Sequence, residues 1–532
     1  MKILRNVDGV EGFSRQKTLW FYNGLDCCIT KELQEIFTPT VAKVCQKTYD
    51  FEMAMLGPAM TMMRRGLRVD KEAVPLVRAA QVKRQKTIIR LWNYITEALV
   101  GERINYASSK QVPNLFYNLL GIPPIHKREG GRMRVTTDRG ALEKIAAKYP
   151  RGKVLARILL ELRDIKKKLD VVEVKLDPDG RLHYSFNVAG TNTWRWSSSA
   201  TAFRTGTNVQ NITKELRRMY IPDEGYKMFY VDLDQAESLA MAYTTGDKNY
   251  IFACHSGDLH TAVAKMIWSE LPWTEDIIED RGVAETPYLH GLSYRDLAKR
   301  AGHGTNYGLT PHSLASHLGL KLRDAFKFHL QYLGGVVPIT NVERWHNQDP
   351  DGGFDLLIDQ GRIRKSETGE KSSMLVLDGA FPDIRKYHKK VLQELEVCGK
   401  LTTPLGMTRH FWGNPSDQSV VREAIAFVPQ STIGCLLHIG MYRVWKELDG
   451  DKVQILANIH DAILGQAKEE DFDNHLQAVI DCMLNPIPFG ESDLLVPVSA
   501  EVGYNWSPVD PKNKLFEDGN PNGLREWNGE EE

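Results

Sequence analysis

Two aspartates far apart in the chain stand in settings that suit metal chemistry. Asp232 lies in Tyr230-Val-Asp-Leu-Asp-Gln-Ala-Glu-Ser238 and Asp461 in Leu456-Ala-Asn-Ile-His-Asp-Ala-Ile-Leu464. Each follows a short apolar, β-prone run, which predicts a carboxylate at a strand end. Between them runs Arg295-Asp-Leu-Ala-Lys-Arg-Ala-Gly-His-Gly-Thr-Asn-Tyr-Gly308. Arg295, Lys299, His303 and Tyr307 recur every fourth residue. At about 100° per residue that spacing drifts only about 40° per step, so the four share one helical face. Paired carboxylates offer hard oxygen ligands to a divalent cation, and a cationic, aromatic helix face suits a nucleoside triphosphate. Together they fit phosphoryl transfer. Each piece alone has an ordinary reading. An Asp beside a turn is usually a solvated turn residue, and a row of Arg, Lys and Tyr is usually a solvated helix edge. The order and wording of the three segments together carry the functional reading.

The elements that must position these residues follow from the pattern around them. Residues 227–232 read as a strand and 235–243 as the helix after it. Residues 453–466 read as a hairpin with His460-Asp461 at its tip, and 259–318 as mostly helical. Residues 182–188 alternate like a strand. Helices are expected over 26–36, 49–65 (Met-rich and closed by Gly66), 74–99, 151–172, 381–397 and 420–448, the last largely buried. A further helix is expected to open at Ser108-Ser-Lys-Gln111, and a hairpin at 401–412 around Pro404-Leu-Gly406. Residues 334–378 read as irregular, with the turn-rich Asp349-Pro-Asp-Gly-Gly353, and the last 25 or so as a loose polar tail.

A chain of 532 residues has room for about three or four domains or subdomains. With 42% hydrophobic and 26% charged residues it reads as an ordinary globular protein. No continuous apolar run long enough for a bilayer is seen, so no membrane span is expected. The seven cysteines form no Cys-x-x-Cys pair, which fits a reducing cytosol. The global charge is balanced at 68 basic and 68 acidic residues. Locally, residues 126–168 hold 14 Lys or Arg against 5 Asp or Glu. This is either a solvated helical hairpin or a surface that neutralises phosphates.

The segments resemble those of DNA polymerase family A, the DNA polymerase I type. Asp232, Gln235 and Glu237 resemble motif A; Arg295, Lys299, Tyr307 and Gly308 motif B; and His460-Asp461 motif C. Thr193-Trp-Arg195-Trp-Ser-Ser-Ser199 and Asn208-Val-Gln210-Asn-Ile212 are similar to the template–primer segment before motif A. Asp258-Leu-His260 resembles the start of the fingers, Arg422 and Gln430 the helix after them, and Glu501-Val-Gly503 with Trp506 the close of the polymerase domain. The resemblance runs over roughly residues 20 to 506.

It implies an α+β right-hand fold, with an antiparallel-sheet palm and helical fingers and thumb. The implied divisions are an exonuclease remnant at 1–48, connecting helices at 49–85, thumb at 86–172, first palm part at 173–255, fingers at 256–398, second palm part at 399–510 and tail at 511–532. An insertion in the fingers is expected at about 334–378. The implied reaction is template-directed addition of deoxynucleotides to a primer 3′-hydroxyl. Asp232 and Asp461 would hold two Mg²⁺ ions, with Mn²⁺ able to substitute, and Lys299 would protonate the leaving group. Arg295, His260, Gln235, Glu237, His303 and Tyr307 would bind the nucleotide, Glu237 as the gate against a 2′-hydroxyl. Arg195, Asn208, Gln210, Arg422, Gln430, His460, Ser109, Lys110, Lys166 and Lys167 would bind DNA.

The chain departs from the family pattern at several places. His303 stands where Phe or Tyr is usual, and Gly302 adds a second glycine within the helix. Ala462 follows Asp461 where an acid is usual, and Ala426 replaces an Asn. Trp194 and Trp196 flank Arg195 where the family reads Gly-Arg-Leu. Tyr22-Asn-Gly-Leu-Asp26 resembles only the last motif of the family's 3′–5′ exonuclease. The expectation is therefore a phage-type replication enzyme without proofreading of its own, monomeric, in the (host) cytoplasm, with a separate exonuclease subunit as candidate partner. Two rival readings are a single-subunit RNA polymerase, which Glu237 argues against, and a non-catalytic DNA-binding factor, which has no physical need for both aspartates.

Overall fold

A computed structural model describes residues 14–129, 131–289, 291–338, 363–365, 374–489, 492–511 and 515–529. The chain divides into two compact units, residues 1–57 and 58–532. The first unit is helical. Ser14 caps the helix Arg15–Val44 by accepting from Lys17 N, and the helix Gln46–Arg65 begins after Cys45. The expected helix at 26–36 is thus part of a longer one. In the Met-rich helix, Met55 and Met62 are buried whereas Met53 and Met60 are exposed.

The second unit is built around a five-stranded antiparallel sheet. Its order is Val453–Ile459, Ala462–Lys468, Tyr226–Leu233, Val498–Gly503, Arg525–Glu526. The first two strands are buried along almost their whole length, and the third is partly buried. The helix Gln418–Arg443 packs on the helices Ala236–Thr245 and Phe472–Met483, and the latter lies on the sheet. Met228, Leu456, Leu464, Tyr184 and Trp506 share one buried cluster. The helix Gln418–Arg443 with its continuation to Leu448 is long and apolar enough to span a bilayer by length and composition alone. However, 83% of its apolar window is buried in the interior, so core packing accounts for that composition.

A second core lies in the basic region. The helices Ala73–Val100, Arg139–Lys148 and Pro150–Val172 pack together around Trp92, Phe116, Leu142, Leu155 and Leu159. Trp92 is fully buried and its Nε1 donates to Ile104 O at 2.6 Å. Burial of such a side chain contributes about 2–3 kcal/mol. Ser108 Oγ accepts from Gln111 N, as expected of a helix-opening residue. The hairpin His126–Glu129/Arg132–Val135 projects from this unit and carries exposed Lys127, Arg128, Arg132 and Arg134.

Three sequence expectations are corrected. Residues 182–188 form two short strands, Arg181–Leu182 and Ser185–Asn187, in different sheets. The stretch 259–318 is mostly helical as expected, with one hairpin, Pro287–Leu289/Leu292–Ser293, whose turn uses Gly291 at φ 81°. The described parts of 334–378 form a three-stranded sheet of Gly335–Pro338, Met374–Leu377 and Ile363–Lys365; the remainder of that expectation, including residues 349–353, lies outside the described residues. The tail is not loose over its described part. Arg525–Glu526 extends the central sheet, Asn520 is buried and bonded to Asn505, and Arg218 forms a salt bridge with Asp518. Polar composition misled there because these polar groups bond to one another rather than to water.

Candidate active site

Sheet register brings the two aspartates together. Asp232 pairs with Ala462 on one side and Ser499 on the other, and Leu233 N donates to Asp461 O at 3.3 Å. His460 (φ 58°) and Asp461 form the two-residue turn between Ile459 and Ala462. Past Asp232, Gln235 (φ 51°) breaks the strand direction and starts the helix Ala236–Thr245, which puts Glu237 on its first turn. A cleft of about 600 Å³ opens here, lined by Asp232, Gln235, Glu237, His260, Lys299, His303 and Asp461 among others. Seven of the residues expected from sequence therefore share one cavity.

The cleft is short of positive charge at its floor. Burial and the nearby charges of Asp461 and Asp234 raise Asp232 from 3.8 to about 6. Burial also raises Asp461, opposed by the guanidinium of Arg195. Arg195 Nη2 donates to Glu237 Oε1 at 2.6 Å and to the two oxygens of Asp461 at 2.9 and 3.1 Å. Glu237 Oε2 also accepts from the Tyr307 hydroxyl at 3.5 Å and lies 3.8 Å from His303 Nε2. Burial, Lys299 and Arg295 lower His260 to about 4, which favours its neutral imidazole at pH 7.

The helix Tyr294–Asn306 carries the cationic face as expected, with Lys299 and His303 exposed in the cleft. Gly302 has a packing reason: a Cβ there would lie 3.2 Å from the Tyr332 ring, so glycine lets the helix seat against it. Arg295 does not line the cleft. It forms a two-point ion pair with Asp258 at 3.0 and 3.1 Å, and Asp258 also caps the helix Leu259–Ile267. Sequence reading gave Asp258 no role of its own. Its signal was present as an Asp just before a helical run.

The expected DNA-contact residues divide. Lys166 and Lys167 are exposed on the helix Pro150–Val172, as are Ser109, Lys110, Arg422 and His460. Lys168 is half-buried and paired with Glu215 at 2.5 Å. Asn208 and Gln430 are half-buried, and Gln210 is 8% exposed with its amide donating to Asn458 Oδ1. The Gln210–Asn458 bond ties the chain around Gln210 to the strand Val453–Ile459 of the central sheet.

An ionised Asp232 whose folded pKa is raised costs stability above about pH 6, and the cost is relieved as pH falls through that value toward 3.8. Asp232→Asn is thus expected to stabilise the metal-free protein at pH 7.5 by about 3 kcal/mol, with the gain fading toward pH 4. Urea unfolding at the two pH values measures it. Equal stabilities at pH 7.5 would show that Asp232 is not strained.

Comparison with known proteins agrees with this geometry. The family model for DNA polymerase family A matches residues 76–348, just over half of the chain. The chain is 25% identical over 490 residues to a thermostable DNA polymerase I of Thermus filiformis, covering 89% of this chain and 50% of that protein. It is 24% identical over 484 residues to DNA polymerase I of Chloroflexus aurantiacus, covering 87% and 43%. The chain thus spans about half the length of the curated relatives it matches. Its fold is that of the polymerase domain of Pol1 from M. smegmatis, solved in complex with DNA primer-template and dNTP. The TM-score is 0.66 at 22% identity, covering 91% of this chain and 75% of that one. The α+β architecture is therefore a right-hand polymerase fold, and the chain belongs to DNA polymerase family A.

Proposed function

We propose that the chain is a DNA-directed DNA polymerase that adds deoxynucleotides to a primer 3′-hydroxyl. The observation that carries this reading is the cleft itself, where Asp232 and Asp461 face Lys299, His303 and His260. The two carboxylates fit divalent cations: they are hard oxygen donors, and burial with mutual repulsion holds Asp232 near 6, which a cation would relieve. Asp232 and Asp461 would hold Mg²⁺, as two ions, which would supply activation of the hydroxyl and neutralisation of phosphate charge.

The protein's own groups do the rest. Lys299, exposed in the cleft, attracts the triphosphate and can protonate the departing pyrophosphate oxygen. Neutral His260 donates to a phosphate oxygen. Arg295 joins them when its pair with Asp258 opens on closure of the fingers. Glu237, whose carboxylate accepts from the Tyr307 hydroxyl, fills the space beside the sugar and excludes a 2′-hydroxyl. The test is primer extension with deoxy- and ribonucleotides side by side. Deoxynucleotide addition dictated by the template base supports the reading, and preferential ribonucleotide addition would favour an RNA polymerase.

DNA would lie along the basic thumb. The exposed charges of Lys127, Arg128, Lys166 and Lys167 support phosphate contacts without base reading. Reversing Lys166 and Lys167 to Glu is expected to weaken all duplexes alike. Each lost phosphate contact should lower the log–log salt slope by about one unit. Anisotropy titrations over a salt series measure this, and a change in sequence preference instead would reject the thumb assignment.

We further propose that the chain works in phage-type replication as a monomer in the cytoplasm, where its seven free cysteines would stay reduced. Proofreading is assigned to a separate 3′–5′ exonuclease subunit. Supporting this, Tyr22 and Asp26 lie one turn apart on a helix that exposes Leu25, Ile29, Leu33 and Ile36 along the same side. The purified chain is expected not to degrade a primer from its 3′ end. Degradation that survives Asp232→Ala but is lost in Asp26→Ala would contradict this.

A further inference from the structure

Arg195 is delivered to the carboxylate site by an unusual piece of backbone. Trp194 before it has φ 55°, a left-handed conformation that a bulky residue holds at a cost of about 1–3 kcal/mol. The packing around it opposes that cost. The Trp194 ring lies 5.8 Å from Phe427, and Trp196, 4% exposed, lies 5.0 Å from His438. Both partners belong to the helix Gln418–Arg443. On the same helix a Cβ at Gly434 would come within 3.2 Å of Thr193 O, so glycine there admits the loop. Thr191 Oγ1 donates to Arg195 O at 2.7 Å. Two aromatic anchors, one on each side, therefore fix where Arg195 points.

It points at two acids with different duties. One nitrogen, Nη2, serves Glu237 at 2.6 Å and both oxygens of Asp461 at 2.9 and 3.1 Å. Its Nε is buried with no hydrogen-bond partner among the described residues. We propose that Arg195 is a resident counter-cation: it neutralises Asp461 until a divalent ion displaces it, and its departure releases Glu237. Resting on the polymerase reading above, this couples cation loading at Asp461 to the freedom of the sugar gate. The physical reason is direct. A guanidinium on the Asp461 oxygens opposes a second cation by repulsion and by occupying its ligands.

The test is Mn²⁺ binding to the full chain without DNA or nucleotide, followed by the electron paramagnetic resonance signal of free Mn²⁺. Arg195→Gln is expected to bind Mn²⁺ about tenfold tighter than the parent or more. Arg195→Lys, which keeps the charge but not the fork, should stay within a few-fold of the parent. Trp194→Gly keeps the guanidinium but loosens its backbone, and should give a smaller tightening than Arg195→Gln. Affinity unchanged or weakened in Arg195→Gln would overturn the proposal. Asp461→Asn separates the two readings. If it abolishes Mn²⁺ binding while Arg195→Gln changes nothing, only the counter-cation fails. If Asp461→Asn binds like the parent, or neither the parent nor Arg195→Gln binds, the metal site fails and the counter-cation with it.

Discussion

Asp232→Ala or Asp461→Ala is expected to lower primer extension by about three orders of magnitude or more, while duplex binding stays intact or tightens slightly. The two residues meet at adjacent strand ends, with Asp232 opposite Ala462 and Leu233 N bonded to Asp461 O. Neither is a packing residue, since both line the open cleft. Removing one therefore takes away a proposed cation ligand without emptying a core. Binding is expected to survive because each change removes negative charge from a surface that must accept phosphates. Single-turnover extension and anisotropy together measure the two effects. Near-normal extension by either variant would reject the assignment of the pair.

Glu237→Ala is expected to raise ribonucleotide use relative to deoxynucleotide on the order of a hundredfold, because the side chain beside the sugar becomes a methyl group. The contacts of Glu237 make the result interpretable. Arg195 holds its carboxylate before a cation loads, and the Tyr307 hydroxyl and His303 lie beside it independently of Arg195. Glu237→Gln keeps the volume and loses the charge. If the gate is steric, Glu237→Gln should keep most of the discrimination and lose mainly rate. An unchanged ribo-to-deoxy ratio in Glu237→Ala would remove Glu237 from the sugar site.

What could be read from the sequence was local, and what was missed was long-range. The strand before Asp232, the hairpin tip at His460-Asp461 and the four-residue spacing from Arg295 to Tyr307 rest on periods of 2.0 and 3.6, and the backbone follows them. The pairing of Arg295 with Asp258 joins two helices whose contact no periodicity encodes. The Arg195 bridge likewise depends on a left-handed Trp194, a conformation contrary to that residue's preference. Gly302 reads as a helix-weakening residue until the Tyr332 ring beside it is seen. The tail read as loose because its order comes from buried Asn520 and a two-residue strand, signals too short for pattern reading.

The most direct measurement is addition of one nucleotide to a labelled primer on four templates that differ only in the templating base. With Mg²⁺ the expected result is addition of the complementary deoxynucleotide on each template, none after chelation, and almost none by Asp232→Ala. Absence of addition by the parent in both Mg²⁺ and Mn²⁺, addition that ignores the template base, or addition undiminished in Asp232→Ala would contradict the assignment of this cleft as a polymerase active site.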